Sequence, residues 1–315
     1  MYFLLVSIAG SIYFMQQATN SKPVAFVTGA STGFGRNTVE TLARAGYRTF
    51  AGVRDISGRN AAVAKELSAL GIEPVELDVT IDASVDAAAK HVQSVAGTVD
   101  MLVNNAGAAY FGLVEAYTPQ KVQAQFDVNV FGVLRVNRAF LPAMRERGNG
   151  LVVYVSSVVG RFNAPFMGVY AASKHALESL AEATAYELRP SGIDVTIVEP
   201  GPYKTNIFNS EIFADDTVRN ESYGELANKA RELYEAFRPQ GGDPQEVADA
   251  ILEIAQRSNG QRPLRLVVSP VETPTGAINE ALAPLQSAVL DWFEAGGLAP
   301  KIAHESRVSA VTAAA

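Results

Sequence analysis

The sequence VAFVTGASTGFG, residues 24–35, decides the fold. Its first half is a short apolar run of the kind that forms a buried parallel strand. Its second half contains three glycines, which allow a tight turn and let the backbone approach a pyrophosphate at the N-terminus of the next helix. The spacing is G-x3-G-x-G and differs from the G-x-G-x-x-G of many dinucleotide folds. A nucleotide site is therefore favoured over a plain tight turn by the position of the glycines between a strand and a helix. The candidate contacts here are Gly29, Ser31, Thr32, Gly33, Phe34 and Gly35.

Apolar runs alternate with helical patterns from Pro23 onward, which is typical of βαβ units. The pattern predicts an α/β fold, a doubly wound (Rossmann) parallel sheet of about seven strands in one domain over residues 21–270. The segment 206–242 has no sheet pattern and is predicted to be an insertion that covers the substrate. Residues 271–315 are predicted to form a C-terminal helical extension, broken at Pro284, and a tail. Strands are predicted at Val24–Thr28, Arg48–Val53, Glu73–Leu77, Met101–Val103, Leu151–Val155, Asp194–Val198 and Leu264–Val268, and helices over 34–45, 57–70, 82–96, 119–147, 168–190 and 244–257.

The composition excludes several kinds of function. The chain has 315 residues and a net charge of −7, which argues against a nucleic-acid partner or an anionic membrane surface. It has no cysteine, so disulfides, thiolate catalysis and cysteine-ligated metals are excluded. The three histidines are far apart in the sequence, and we expect no metal site.

Residues 1–20 form an apolar leader in which no charge precedes Lys22. The fifteen apolar residues MYFLLVSIAGSIYFM would span roughly 22 Å as a helix, less than the ~30 Å hydrocarbon core, so we expect no stable membrane span. Three interpretations stay open: a weak membrane anchor, a docked helix, or sequence upstream of a true start at Met15. The last is favoured because an ordinary polar stretch, MQQATNSK, follows.

The second strand ends in Val53-Arg54-Asp55, where the ribose of an adenosine would lie. An arginine there accommodates a 2′-phosphate, so Arg54 favours NADP over NAD. If the loop turned one residue earlier, Asp55 would reach the ribose instead. After the third strand, Asp78 and Val79 come close to the adenine, where Asp78 would accept a hydrogen bond or would cap the next helix.

The fourth strand runs into Asn104-Asn105-Ala106-Gly107. Asparagine can brace a strand end through bonds to the backbone, and Asn105 is placed to do so. Ala106 and Gly107 leave room for a flat cofactor. Asn129, in the pattern FDVNVFG, either makes a structural hydrogen bond or holds a water near the chemistry.

Tyr170 and Lys174 lie four residues apart and would share one face of a helix over 168–190. A phenol has an ordinary pKa of about 10, and an ammonium one turn away would lower it. Such pairs are common on amphipathic helices, so the neighbouring motifs must decide whether this one is catalytic.

Together these motifs resemble the short-chain dehydrogenase/reductase family over roughly residues 23–270. The motifs are TGASTGFG, NNAG, Asn129, Ser157, Tyr170-x-x-x-Lys174 and PGPYKT. The phrases VTGASTGFG, FDVNVFG and YAASKHALESL are most similar to hydroxysteroid- and retinol-dehydrogenase-like members.

The resemblance implies a role for each matching residue. Tyr170 would be the catalytic acid/base, and Lys174 would bind the nicotinamide ribose and lower the pKa of the tyrosine. Ser157, thirteen residues before the tyrosine, would hold the substrate oxygen, and Asn129 would anchor a water of a proton relay. A turn would close over the nicotinamide through Pro200, Gly201 and Thr205.

The sequence therefore predicts an NADP(H)-dependent oxidoreductase that interconverts a hydroxyl and a carbonyl on a small hydrophobic substrate, steroid-, retinoid- or aromatic-like. The alternatives are a non-catalytic dinucleotide-binding regulator and an epimerase or dehydratase built on the same residues. Aromatic residues of 206–242 would line a pocket, with Tyr110, Phe111, Phe162 and Phe166, or would only pack the insertion. The resemblance also implies a cytoplasmic homodimer or homotetramer.

Overall fold

An eight-stranded parallel sheet forms the centre of the computed structural model, which describes residues 22–208, 213–237 and 241–309. The strands lie in the order β3-β2-β1-β4-β5-β6-β7-β8, and all pairs are parallel. The predicted doubly wound α/β class is confirmed. The strands are β1 Val24–Thr28, β2 Arg48–Val53, β3 Glu73–Glu76, β4 Met101–Asn104, β5 Gly150–Val155, β6 Ile193–Pro200, β7 Pro263–Ser269 and β8 Ile302–Val308.

Helices cover both faces of the sheet. The helices are α1 Gly33–Arg44, α2 Ala61–Ala69, α3 Asp82–Ala96, α4 Pro119–Phe126, α5 Gly132–Arg147, α6 Gly168–Leu188, α7 Thr217–Ser222, α8 Glu225–Phe237, α9 Gln245–Gln256 and α10 Thr275–Trp292. A single π-helical turn, Asp127–Phe131, joins α4 to α5, so the helix predicted over 119–147 changes its hydrogen-bond ladder midway.

The core consists of two apolar layers, one on each side of the sheet, because successive strand residues point to opposite faces. In β1, Phe26 packs in the layer formed with α3, α5 and α6. Its neighbours Ala25 and Val27 pack in the other layer, formed with α1 and α9. Every residue of β1, β4, β5, β6 and β7 is buried, which explains why these strands read as continuous apolar runs.

The C-terminal region departs from the prediction. Helix α10 runs through Pro284, whose side chain is exposed, so the carbonyl that loses its partner can face water. The tail after it forms β8, which extends the sheet to eight strands, and the sheet-bearing domain therefore continues past residue 270. The sequence hid β8 because it is an edge strand, half exposed and rich in polar residues.

The predicted insertion 206–242 contains helices α7 and α8 within the described residues. The apolar leader 1–20 lies outside the described part of the chain. None of the helices in the described ranges has the length and hydropathy needed to cross a bilayer.

The strand order reverses direction between β1 and β4. At such a switch point the loops that follow neighbouring strands turn to opposite faces, and a crevice opens at the carboxyl ends of the strands. The glycine-rich turn and the ends of β4, β5 and β6 all lie at this edge.

Candidate active site

A cavity of about 1460 Å³ lies at the carboxyl edge of the sheet. Nearly all of the predicted cofactor and catalytic residues line it, although they come from seven separate segments of the chain. The predicted residues that line it are Gly29, Ser31, Thr32, Gly33, Phe34, Arg54, Asp78, Val79, Asn105, Ala106, Gly107, Ser157, Tyr170, Lys174, Pro200, Gly201 and Thr205. Two predicted residues, Gly35 and Asn129, do not line it.

The turn after β1 presents the N-terminus of α1 to the cavity. Gly29 and Gly33 have φ of 67° and 57°, a left-handed conformation that favours glycine. Thr32 precedes α1 but makes no capping bond, and the first turn of the helix has no acidic residue. Free backbone N–H groups and the positive end of the helix dipole therefore face the cavity, as anion binding requires.

Gly35 acts in packing and does not contact the cavity. A Cβ at this position would come within 2.4 Å of both Asn105 Nδ2 and the Gly29 carbonyl oxygen. The absence of a side chain therefore lets α1 lie directly against the ends of β1 and β4.

Asn105 braces the ends of β1 and β4. Its Nδ2 donates to the carbonyl oxygens of Thr28 at 2.8 Å and Gly29 at 3.1 Å. The backbone N–H groups of Asn105 and Ala106 both donate to Thr28 Oγ1 at 3.0 Å. This arrangement fixes the floor of the cavity, and the predicted bracing role matches the contacts.

The loop after β2 orients Arg54 and Asp55 differently. Arg54 lines the cavity, and so does Arg59 five residues later. Asp55 has φ of 53°, and its backbone N–H donates to Glu76 Oε1 at 2.7 Å while its Oδ2 accepts from the Arg59 backbone N–H at 3.0 Å. The carboxylate of Asp55 therefore closes its own loop and does not line the cavity.

Asp78 forms a local turn with Thr80. Its Oδ1 accepts from the Thr80 N–H at 2.9 Å and from the Thr80 hydroxyl at 2.7 Å. Burial alone would raise the pKa of Asp78, but these bonds and the charges of Arg54 and Arg59 bring it below its usual value. Ile81, and not Asp78, occupies the N-cap position of α3, so the capping alternative does not hold.

Tyr170, Ser157 and Lys174 meet at one wall of the cavity. Ser157 lies two residues after β5 and hydrogen-bonds with Tyr170, which is 6% exposed. Burial raises the pKa of Tyr170 to about 12, against the opposing effect of the Ser157 bond. Lys174 Nζ lies 5.8 Å from the centre of the tyrosine ring and donates to the Val155 carbonyl at 2.8 Å. The expected lowering of the Tyr170 pKa by Lys174 is therefore absent from this arrangement, and the phenol is protonated at neutral pH.

Burial also changes the pKa of Lys174, lowering it to about 8, although the Glu178 carboxylate one turn along α6 opposes this effect. The ammonium is thus close to its titration range at the pH of a typical cell.

Asn129 lies behind this wall, in the π-helical turn. Its Oδ1 accepts from the Ala108 N–H at 2.8 Å, and its Nδ2 donates to the Ala108 carbonyl and the Ser173 hydroxyl, both at 2.9 Å. The side-chain amide therefore ties the loop after β4 to α6, so the structural hydrogen bond is present, and the water-anchoring role of Asn129 stays a prediction.

Thr205 closes the opposite side of the site. A Cβ on Gly33 would lie 3.4 Å from the Thr205 Cβ, so this threonine sits directly above the glycine turn. The segment between β6 and Thr205 thus forms the upper rim of the cavity.

Aromatic side chains surround the far end of the cavity. Phe111, Phe162, Tyr110 and Tyr234 line it. Behind Phe111 and Tyr234, Phe213 packs edge-on against Tyr234 with ring centres 5.0 Å apart. The aromatic residues therefore do both things that the sequence allowed: some line the pocket and others pack the insertion. Tyr223 does neither, because its hydroxyl bonds to Glu115 Oε2 at the surface.

Several residues that line the cavity were not predicted from the sequence. Arg59 and Asn60 line the cavity, and their position in the loop that follows Arg54 was the available signal. Lys121 lines it from α4, and nothing in the local pattern distinguishes it from a surface lysine.

The shape and donor set of the cavity fit a nicotinamide dinucleotide. Pockets for a single small ligand are about 300–1,000 Å³, so a cavity of about 1460 Å³ has room for a cofactor and a substrate together. The helix N-terminus suits a pyrophosphate, the arginines suit further negative charge, and the small residues after β4 leave space for a flat ring.

The model of the family described as short chain dehydrogenase matches residues 23–215. An uncharacterized oxidoreductase, YusZ, from Bacillus subtilis is 36% identical over 250 residues, covering 76% of this chain and 86% of its own. Human 17-beta-hydroxysteroid dehydrogenase type 1 is 34% identical over 247 residues, covering 74% of each chain.

Solved structures of similar proteins contain both kinds of cofactor. An alcohol dehydrogenase from Thermococcus sibiricus, complexed with 5-hydroxy-NADP, superposes with a TM-score of 0.65 at 27% identity, covering 80% of this chain and 98% of the other. A short chain dehydrogenase/reductase from Burkholderia phymatum, in complex with NAD, gives a TM-score of 0.70 at 29% identity, covering 84% and 95%.

Proposed function

The chain belongs to the short-chain dehydrogenase/reductase family and is an NAD(P)-dependent oxidoreductase, and from that premise we propose that it uses NADP(H) to interconvert a hydroxyl and a carbonyl on a small hydrophobic substrate. The observation that carries the proposal is the contact of Tyr170 with Ser157 in the wall of a cavity large enough for cofactor and substrate.

Tyr170 is placed to give a proton to a carbonyl oxygen. Its raised pKa keeps the phenol protonated at neutral pH, which is the form that a carbonyl reduction needs. Ser157 can donate to the same oxygen as negative charge develops there, and both hydroxyls are held in position before the reaction. When bound, the cofactor supplies the hydride that completes the exchange.

Lys174 supports the site by its charge. Its side chain is 3% exposed, so the ammonium acts in a region from which water is largely excluded. Lys174 would hold the nicotinamide ribose and would stabilise the anion left on Tyr170 after the proton has moved.

NADP(H) is favoured over NAD(H) by the arginines after β2. Arg54 and Arg59 both line the cavity, whereas Asp55 closes its own loop. A guanidinium binds a phosphate through charge-assisted hydrogen bonds, and an acid facing the ribose would repel it.

The aromatic end of the cavity supports a hydrophobic substrate. Its walls include Phe111, Phe162 and Tyr234, with Met167 and Leu233 beside them. The relative named 17-beta-hydroxysteroid dehydrogenase type 1 suggests a steroid-like ligand as the first class to test. A homodimer or homotetramer and a cytoplasmic location stay predictions from the family resemblance.

The test is a measurement of NADPH consumption with a panel of steroid, retinoid and aromatic ketones. We expect turnover with at least one class, together with the corresponding alcohol as product. A parallel series with NADH checks the cofactor. No turnover with any class, or a clear preference for NADH, would contradict the proposal.

A further inference from the structure

A cluster of buried charges lies behind the catalytic wall and is not used by the mechanism above. Arg265, on β7, is 2% exposed and is among the largest fully buried side chains of the described chain. Its Nε donates to Glu178 Oε2 at 3.1 Å, and its terminal nitrogen bonds to Glu182 Oε2 at 2.5 Å. Glu199, at the end of β6, has an Oε1 that lies 3.9 Å from the same Nε.

Glu178 lies one helical turn from the catalytic lysine. It follows Lys174 by four residues on α6, which places the two on the same side of the helix, and both are buried, at 1% and 3% exposure. The ammonium bonds to the Val155 carbonyl, a neutral group. Glu178 is the carboxylate whose charge acts on Lys174 and opposes the effect of burial.

Glu199 has a different environment from Glu178. Its Oε2 accepts from Asn279 Nδ2 at 2.6 Å, and Asn279 in turn accepts from Arg161 Nε at 2.9 Å. Burial, with the like charge of Glu178, raises the pKa of Glu199 well above its usual value. Within the described chain, Oε1 of Glu178 and Oε1 of Glu199 both lack a hydrogen-bond partner.

The charges of this cluster bear on the proton of the buried Lys174 ammonium. The charged groups linked to Glu178 in this cluster are Glu182 on α6, Glu199 on β6, Arg265 on β7 and, through Asn279, Arg161 after β5. A buried ammonium loses its proton readily unless a fixed negative charge lies close by. Glu178, on the same side of α6 as the lysine, is the carboxylate placed to supply that charge.

We propose that Glu178 is a positioning residue for the reaction, because its carboxylate, fixed by Arg265, is the buried counter-charge that keeps Lys174 protonated. This inference rests on the proposed oxidoreductase function, in which a charged Lys174 is needed.

The test compares the pH dependence of kcat for the parent with Glu178→Gln, Glu182→Gln and Glu199→Gln. Loss of the Lys174 proton gives a basic limb near pH 8 in the parent. In Glu178→Gln we expect the basic limb of the kcat profile to move to lower pH by about one pH unit. The reason is that a full negative charge one helical turn from Lys174 is lost from a site of low dielectric constant. The protonated fraction at pH 8 would then fall about fivefold, while activity at pH 6 would change less than about twofold.

Glu182→Gln is the matched control. This carboxylate contacts the same arginine but lies one turn further from Lys174. We expect its basic limb to stay within about 0.3 unit of the parent. An equal shift in Glu182→Gln would show that the effect passes through Arg265, and no shift in Glu178→Gln would show that Lys174 needs no counter-charge. Either result overturns the proposal.

A second variant, Glu199→Gln, and a direct titration of the lysine keep the test decisive if Glu178→Gln misfolds or if the parent is inactive. Glu199→Gln should leave the limb unchanged because Glu178, and not Glu199, is the carboxylate one helical turn from Lys174, and a downward shift of about one pH unit would overturn the assignment. NMR titration of lysine labelled at Cε, with Lys174→Met to identify the signal, measures the lysine directly. If the parent shows no turnover, the proposed function fails, and this titration still decides whether Glu178 holds the proton on Lys174.

Discussion

Replacement of Arg54 by alanine should weaken the use of NADPH and leave the use of NADH nearly unchanged. Arg54 lines the cavity at the end of β2, where the 2′-position of the adenosine ribose would lie. NADH lacks the phosphate at that position, so it serves as an internal control for folding and for the rest of the cofactor site.

The size of the effect follows from the exposure of the arginine. Two opposite charges about 4 Å apart near a protein surface attract each other by roughly 4 kcal/mol, but salt and hydration reduce the net value. Hydrogen bonds to charged groups contribute about 1.5–3 kcal/mol. That range corresponds to a loss of about 10- to 150-fold in kcat/KM for NADPH.

The assay is initial-rate kinetics with each cofactor at a fixed ketone concentration. Arg44→Ala is the matched control, because Arg44 is another exposed arginine, at the end of α1, and does not line the cavity. Equal losses with NADPH and NADH would refute the assignment, as would a loss in Arg44→Ala comparable to that in Arg54→Ala. Arg59→Ala should show a smaller loss, because this guanidinium is 60% exposed and already lies 4.0 Å from Asp55.

Three further outcomes follow from the packing and the charges. Gly35→Ala should lower the free energy of unfolding by about 1–3 kcal/mol in a urea titration and raise the KM for the cofactor, because the added Cβ displaces Asn105. Gly297→Ala, where a Cβ meets nothing within 4 Å, should change neither. Arg265→Leu should cost about 3–5 kcal/mol in the same titration, since it leaves buried carboxylates without their partner, and a loss below about 1 kcal/mol would contradict the burial of the pair. Between pH 8 and pH 10 the unfolded chain keeps a proton on Lys174 that the folded chain has released. The free energy of unfolding of the parent should therefore rise with pH relative to that of Lys174→Met. Parallel plots of the free energy of unfolding against pH would disprove this.

The parts of the fold that are buried on both sides could be predicted from the sequence. The strands that carry the cofactor site are continuous apolar runs, and the doubly wound parallel class followed from their alternation with helices. Strand β8 could not be found this way, because an edge strand needs only one apolar side and its other residues are polar. Its pairing with β7 is a tertiary contact that the local sequence does not encode.

The candidate site divides along the same line. Residues in motifs, such as Tyr170 and the glycine turn, were placed in the cavity wall as expected. Gly35 and Asn129 were expected at the site but do not line the cavity, because of tertiary packing. Helix α1 lies close against the end of β4 at Gly35, and the Asn129 side-chain amide hydrogen-bonds to Ala108 and Ser173. The Arg265 cluster joins residues far apart in the chain, and each of them alone looks like a surface charge.

The state of Tyr170 shows most clearly where sequence reasoning ended. The i, i+4 spacing predicted an ammonium beside the phenol, and the two residues do share a helix. The burial of both side chains and the direction of the lysine, whose Nζ donates to the Val155 carbonyl at the end of β5, depend on tertiary packing. The pKa of the tyrosine is therefore raised and not lowered.

The most direct test of the account is the turnover of Tyr170→Phe with NADPH and the best ketone from the panel. The variant keeps the ring and loses only the hydroxyl, so cofactor binding, followed by NADPH fluorescence, should stay within about threefold of the parent. Tyr223→Phe is the matched control, because the Tyr223 hydroxyl bonds to Glu115 at the surface and this residue does not line the cavity. We expect kcat to fall at least about 100-fold in Tyr170→Phe, the loss of a positioned general acid, and to change little in Tyr223→Phe. Undiminished turnover in Tyr170→Phe would contradict the central claim that this phenol delivers the proton.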